Sequence, residues 1–166
     1  MKIKEIKNNP EVIFLIGLPG SGKTTYIQSL KSKNKDKHYA VVSSDDILQN
    51  IASEEGITYN QSFKKFGRAS IGRMLLNAKE YIKNNRNIIW DQTNLTKKGR
   101  RNKLALFPNN YIKKAIVFSV PKKELFNRLN KREEQTGKEI PGYVIQNMSK
   151  SFQPPTSEEF SSIDYK

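Results

Sequence analysis

The sequence has no cysteine and a single histidine, His38, in 166 residues. Disulfides, thiolate metal sites and cysteine nucleophiles are therefore excluded. One histidine also leaves a poly-His metal site without ligands, and His38 beside a lysine-rich turn reads as structural or exposed. Long apolar runs are missing as well. The longest, Val12-Ile13-Phe14-Leu15-Ile16, falls far short of the roughly 20 residues that span a membrane. Met1–Lys7 has no apolar core of signal-peptide length, so a cytoplasmic protein is expected (in the host cytoplasm if phage-encoded). Acids are scarce: 16 Asp and Glu face 30 Lys and Arg, a formal charge of +14. That balance points to a polyanionic partner. Lysine supplies 23 of the cations and arginine 7, a bias that an AT-rich genome produces unaided. Where the cations cluster therefore matters more than their number.

What is present is one domain's worth of alternating pattern. Glu11–Ile16 reads as a buried strand stopped by Gly17, and Thr24–Leu30 as the helix after it. Tyr39–Ser43 forms a second strand, and Phe63, Phe66, Ile71, Met74, Leu75, Ala78 and Ile82 recur as one face of a long helix. Asn87–Trp90 is a third strand. Thr96 caps a basic helix to Leu106, Tyr111–Val120 is a fourth strand, and Pro121 opens the next helix. A last helix covers Tyr143–Phe152, and Ile163 suits a short terminal strand. Strands separated by helical crossovers predict an α/β domain whose parallel sheet is covered on both faces. The loops after the strands then share one edge, where a ligand binds.

Gly17-Leu18-Pro19-Gly20-Ser21-Gly22-Lys23-Thr24 fits GxxxxGK[ST] without a mismatch, between a strand and a helix. Glycines let successive N–H groups wrap an anion, and the helix adds its positive end. Gly17, Pro19, Gly20, Ser21, Gly22, Lys23, Thr24 and Thr25 are the expected nucleotide contacts. Lys23 reaches the β- and γ-phosphates of ATP, and the Thr24 hydroxyl holds Mg²⁺.

A phosphate loop alone leaves GTPases, motor ATPases and kinases open. Asp45 and Asp46 follow the second strand, where a carboxylate can orient an acceptor hydroxyl and take its proton. Ser44-Asp45-Asp46 also suits a helix start, and Asp46 can cap while Asp45 acts on the acceptor. Asp91 ends the third strand, either as a ligand for Mg²⁺ or its waters or as a clamp on the loop through Thr93 and Asn94.

Together these residues resemble the P-loop polynucleotide 5′-hydroxyl kinases, above all the kinase domain of phage polynucleotide kinase–phosphatases. The likeness runs through GLPGSGKTT (17–25), SDD (44–46), DQTNLTKKGRR (91–101), RLNKR (128–132), IPGYVIQNM (140–148) and PPTSEEF (154–160). It implies a P-loop NTPase fold of the nucleoside-kinase type: a three-layer sandwich with a parallel sheet of four to five strands in the order 2-3-1-4, and a helical lid over about 128–140. Where those family members add a phosphatase domain, one domain over 1–166 is expected here, so that any 3′ healing falls to a separate phosphatase, with a ligase as a further partner. It also implies ATP and Mg²⁺ as cofactors, Asp45 as the general base for a DNA or RNA 5′-hydroxyl, and Arg128 and Arg132 over the ATP phosphates. The two arginines are four apart, so on a helix they share a face. One departure stands out: where the family carries an acceptor-binding arginine three residues after the base, this chain has Leu48.

Lys97-Lys98-Gly99-Arg100-Arg101-Asn102-Lys103 holds five cations and no acid. With Asp46, Lys97, Lys98, Arg100 and Arg101 are expected to meet nucleic acid through salt-sensitive phosphate contacts. Lys31–Lys37 belongs to the opposite edge as a solubilising turn. The competing reading is a small-metabolite or nucleoside kinase with the same fold and base.

Overall fold

The computed structural model describes residues 9–166, so the Met1–Lys7 reading lies outside the described residues. Five strands, β1 (Glu11–Ile16), β2 (Ala40–Val42), β3 (Ile88–Asp91), β4 (Ile112–Val117) and β5 (Ser162–Tyr165), form one sheet ordered β2-β3-β1-β4-β5. Every pairing is parallel. The expected order holds, with the terminal strand added beside β4.

Strand β1 shows why the sheet needs two covers. All six of its residues are buried. Val12, Phe14 and Ile16 point into one core with Val42, Trp90 and Phe160, while Ile13 and Leu15 join Ile27, Ile89 and Ile116 in the other. A pleat alternates its side chains, so an unbroken apolar run is the sequence of a strand buried on both faces. Phe14 and Trp90 stack with centroids 5.5 Å apart. The covering helices are α1 (Lys23–Lys33), α2 (Ser44–Glu55), α3 (Tyr59–Lys83), α4 (Lys97–Leu104), α5 (Lys122–Thr136) and α6 (Gly142–Lys150). Leu125 and Leu129 of α5 pack with Ile145 of α6 in a third cluster that reaches Leu18.

Two sequence expectations need correction. The helix after β2 is capped by Ser43, whose hydroxyl accepts from the Asp46 N–H; Asp46 supplies the capped N–H, and its side chain is not the cap. Along α3 the buried stripe is Tyr59, Ser62, Ser70, Met74 and Ala78, whereas Phe63 and Ile71 are 59% and 48% exposed. The apolar residues of that helix occupy two faces, and a list of apolar positions merges them.

At the amino-terminal edge of the sheet, the Glu11 carboxylate accepts from Lys37 and Lys114, each at 2.7 Å, and from the Tyr39 hydroxyl. Burial would raise its pKa, but the bonds from Lys114, Lys37 and Tyr39 outweigh it and hold the group at about 2. His38 is exposed next to this cluster.

Candidate active site

The phosphate loop is shaped by glycine where no other residue fits. Gly22 caps α1 at φ 101° and Gly20 sits at φ 81°, in the left-handed region that a side chain opposes. A Cβ on Gly20 would also lie 3.0 Å from Leu129 Cδ2. Lys23 Nζ donates to the Gly17 and Leu18 carbonyls at 2.9 and 2.8 Å. Burial pulls the Lys23 pKa down to about 8, against the opposing pull of Asp91 and Asp45.

A cleft of about 810 Å³ opens at this edge. Pro19, Gly20, Ser21, Gly22, Lys23, Thr24 and Thr25 form its floor, and Gly17 lies behind it. Asp45, Asp91, Arg128 and Arg132 also line it. The register pairs Asp91 with Leu15 of the phosphate-loop strand itself, the adjacency that sequence left open. Burial, together with the charges of Asp46 and Asp45, raises Asp91 to about 6 even with Lys23 pulling the other way. The clamp on its loop is Asn94 instead: its Nδ2 donates to the Leu15 carbonyl at 2.7 Å, and Thr93 O accepts from Gly17 N at 3.0 Å.

Asp45 lies at the mouth of the cleft, its side chain 59% exposed. Oδ1 accepts from the Tyr59 hydroxyl at 2.7 Å and Oδ2 from Lys138 Nζ at 2.6 Å. Burial works to raise its pKa, yet the charge and hydrogen bond of Lys138 and the Tyr59 hydroxyl leave it below the usual carboxylate range. Tyr59 and Lys138 are the partners that sequence reasoning missed. They stand 14 and 93 residues from Asp45, and only a bulky polar residue opening α3 hinted at the first.

Arg128 and Arg132 do share one face of α5. Arg128 pairs with Glu124 and reaches the Gly20 carbonyl at 3.4 Å. Arg132 presents Nε and Nη2 as buried atoms without a hydrogen-bond partner. Buried donors of a permanent cation call for an acceptor, and polyphosphate meets that need. Among the described residues no group of three His, Cys, Asp or Glu forms a metal cage. Thr24 and Asp91 offer the hydroxyl and carboxylate that suit a hard ion taking few protein ligands and filling its shell with phosphate oxygens and water.

The basic block departs from expectation. None of Lys97, Lys98, Arg100 and Arg101 borders the cleft. Arg100 is wholly buried: Nε and Nη2 bond Glu159, and Nη1 bonds the Asn94, Leu95 and Gln153 carbonyls. It ties α4 to the carboxyl-terminal segment and is closed to nucleic acid. Lys97 pairs with Glu158 at 3.5 Å, and Lys103 bonds Asn94 Oδ1 at 2.7 Å. Lys98 and Arg101 are exposed. Asp46 borders a separate cavity of about 170 Å³. Leu48 is 2% exposed, part of the core under α3.

Known proteins share this plan. Human heterogeneous nuclear ribonucleoprotein U-like protein 2 is 28% identical over 149 residues, 87% of this chain and 20% of that protein. The L-seryl-tRNA(Sec) kinase of Methanococcus maripaludis is 28% identical over 148 residues, 87% of this chain and 53% of the kinase. The chain thus spans a fifth to a half of these relatives. A chain of the Pnkp1/Rnl/Hen1 RNA repair complex superposes with a TM-score of 0.64 at 26% identity, covering 89% of this chain and 45% of that one. No helix among the described residues is long and apolar enough to cross a membrane. A family model described as an AAA domain matches residues 12–155, from the first core residue of β1 to the segment that Arg100 holds. On that match the chain belongs to the AAA domain family, as a nucleotide-binding P-loop domain of kinase fold.

Proposed function

We propose that this domain is a polynucleotide 5′-hydroxyl kinase, moving the γ-phosphate of ATP to the 5′-OH end of DNA or RNA in nucleic-acid end healing. The observation that carries the reading is Asp45: an open carboxylate held ionised by Tyr59 and Lys138, on the same cleft as Lys23 and Arg132. A binding module has no use for a base kept charged at the mouth of its nucleotide cleft. The ordered run of SDD, TNL and paired-arginine motifs, together with the likeness to the RNA repair chain, supports a polynucleotide as the acceptor.

In this reading the glycine loop and Lys23 cradle the polyphosphate, while Thr24 and Asp91 would hold Mg²⁺. The ion, when bound, neutralises charge on the β- and γ-phosphates. Asp45 accepts a hydrogen bond from the attacking hydroxyl and takes its proton as the new P–O bond forms and the bond from Pγ to the β–γ bridging oxygen breaks, releasing ADP. Arg132, with donors to spare, stabilises charge on the transferring group, and Arg128 steadies the loop through Gly20. A separate phosphatase or ligase would complete end healing.

A second reading, a kinase for a small alcohol, is favoured by the burial of Leu48, which leaves no acceptor-binding arginine at that position. Transfer of labelled phosphate from ATP to 5′-OH DNA, 5′-OH RNA and a panel of small alcohols decides between them. Salt-steep turnover of oligonucleotides is expected. Salt-insensitive turnover of a sugar or nucleoside alone overturns the proposal.

A further inference from the structure

Helix α3 starts at the proposed base. Its first residue, Tyr59, bonds Asp45 and lies under Lys138, whose Nζ is 3.8 Å from the ring centroid. Tyr59 is buried and stacks on Phe63, centroids 6.3 Å apart and planes 22° from parallel, while Phe63 is 59% exposed. An aromatic stack thus leads from the catalytic carboxylate to an open ring. Beyond it, Phe63, Gly67 and Ile71 follow one strip of the helix at four-residue spacing, and Lys64 and Arg68 follow the next. The strip from 63 to 71 is roughly 12 Å long, about three stacked nucleotides.

Charge singles out the occupant. From Tyr59 to Lys79 the helix carries Lys64, Lys65, Arg68, Arg73 and Lys79 and no acid. Lys65 is engaged with Glu55 and the Phe66 ring. Lys64 and Arg68 are exposed, and among the described residues neither has an ion-pair partner. Helix α2, which brings Asp45 to the cleft, has no cation from Ser44 to Glu55. Lys23 and Arg132, the helical cations that act on Asp45, line the nucleotide cleft itself, so a polyanion leaving Asp45 along α3 meets Lys64 and Arg68. An exposed ring flanked by unpaired cations is the pattern of a single-strand platform, where bases stack and phosphates meet Lys or Arg.

We infer that this face of α3 seats the acceptor strand: Phe63 stacks on the 5′-terminal base, and Lys64 and Arg68 take the phosphates that follow. The inference rests on the polynucleotide kinase reading and assigns its acceptor site.

The test is steady-state labelling of 5′-OH single strands. Phe63→Ala should raise the acceptor KM about tenfold or more and leave the KM for ATP in place. Phe63→Trp should restore the acceptor KM and Phe63→Leu should not, since stacking needs a ring rather than bulk. Replacing Lys64 and Arg68 together by Gln should flatten the salt dependence of KM by one to two in log–log slope for a trinucleotide, and leave a nucleoside, which carries no phosphate, nearly unaffected. Leu76→Ala, an exposed apolar residue off the strip, serves as the unaffected control. An unmoved acceptor KM in Phe63→Ala, or full rescue by Leu, overturns the seat while the kinase reading stands. Self-association lost in Phe63→Ala, with KM unmoved, also overturns it and gives the face to a second copy. A wild type inert toward every 5′-OH end overturns the kinase reading itself.

Discussion

The two edges of the sheet each hold a carboxylate bonded by lysine and tyrosine, and they differ in access. Glu11, 6% exposed at the side chain, takes two lysines and the Tyr39 hydroxyl. Asp45, 59% exposed, takes one lysine and the Tyr59 hydroxyl. Both are pulled below their ordinary pKa by the same kinds of partner. The difference is saturation: Glu11 is closed over by its partners, whereas Asp45 keeps open carboxylate surface toward a cleft. Residue identity alone does not distinguish a staple from a reactive group. Access and leftover hydrogen-bonding capacity do.

The contrast can be broken at either end. Asp45→Ala should lower phosphate transfer by 100-fold or more, within the range of general-base losses, with nucleotide binding intact by calorimetry. Transfer that survives would put the base elsewhere. Glu11→Gln should do the reverse, costing about 1–3 kcal/mol in denaturant unfolding while turnover below the melting range is unchanged. The pH dependence follows with its sign. Because Glu11 is held at about 2 when folded, its contribution is complete above its ordinary value of about 4.5 and fades as pH falls toward 2. Glu11→Gln should flatten that part of the stability curve. The smallest effect is expected from Lys138→Met, which keeps the stem over Tyr59 and removes the charge. The Asp45 pKa should rise, moving the acid limb of the pH–rate profile upward, and an unmoved limb would separate Lys138 from the base.

Local pattern made the fold legible. The continuous apolar run of β1, the Thr96 cap and the GxxxxGK[ST] loop each belong to one short stretch, and all appear where expected. For the candidate site, motif reading picked out Lys23, Thr24, Asp45, Asp91, Arg128 and Arg132, which line one cleft. It failed where the function of a charge depends on what folds against it. Arg100 sits in a basic block indistinguishable from a surface patch, until Glu159, 59 residues away, covers it. The Tyr59 and Lys138 partners of Asp45 are likewise products of tertiary contact. Phe63 misled for a different reason: helical spacing shows that apolar residues share faces, but not which face meets the core.

The welds at Asn94 and Thr93 have a consequence for motion. They fix the β3 loop to the phosphate loop through Leu15 and Gly17, and Arg100 extends that rigid body to the carboxyl-terminal segment. On the far side, α5 meets the same loop through Leu125 and Leu129 packed against Gly20 and Leu18, with one 3.4 Å bond from Arg128. The β3 side of the cleft is therefore tied to the phosphate loop mainly by hydrogen bonds, and the α5 side mainly by apolar packing. Apolar packing yields to truncation more readily than a hydrogen-bonded weld, so Leu129→Ala is expected to speed ADP release, read by stopped flow, before it disturbs the chemistry.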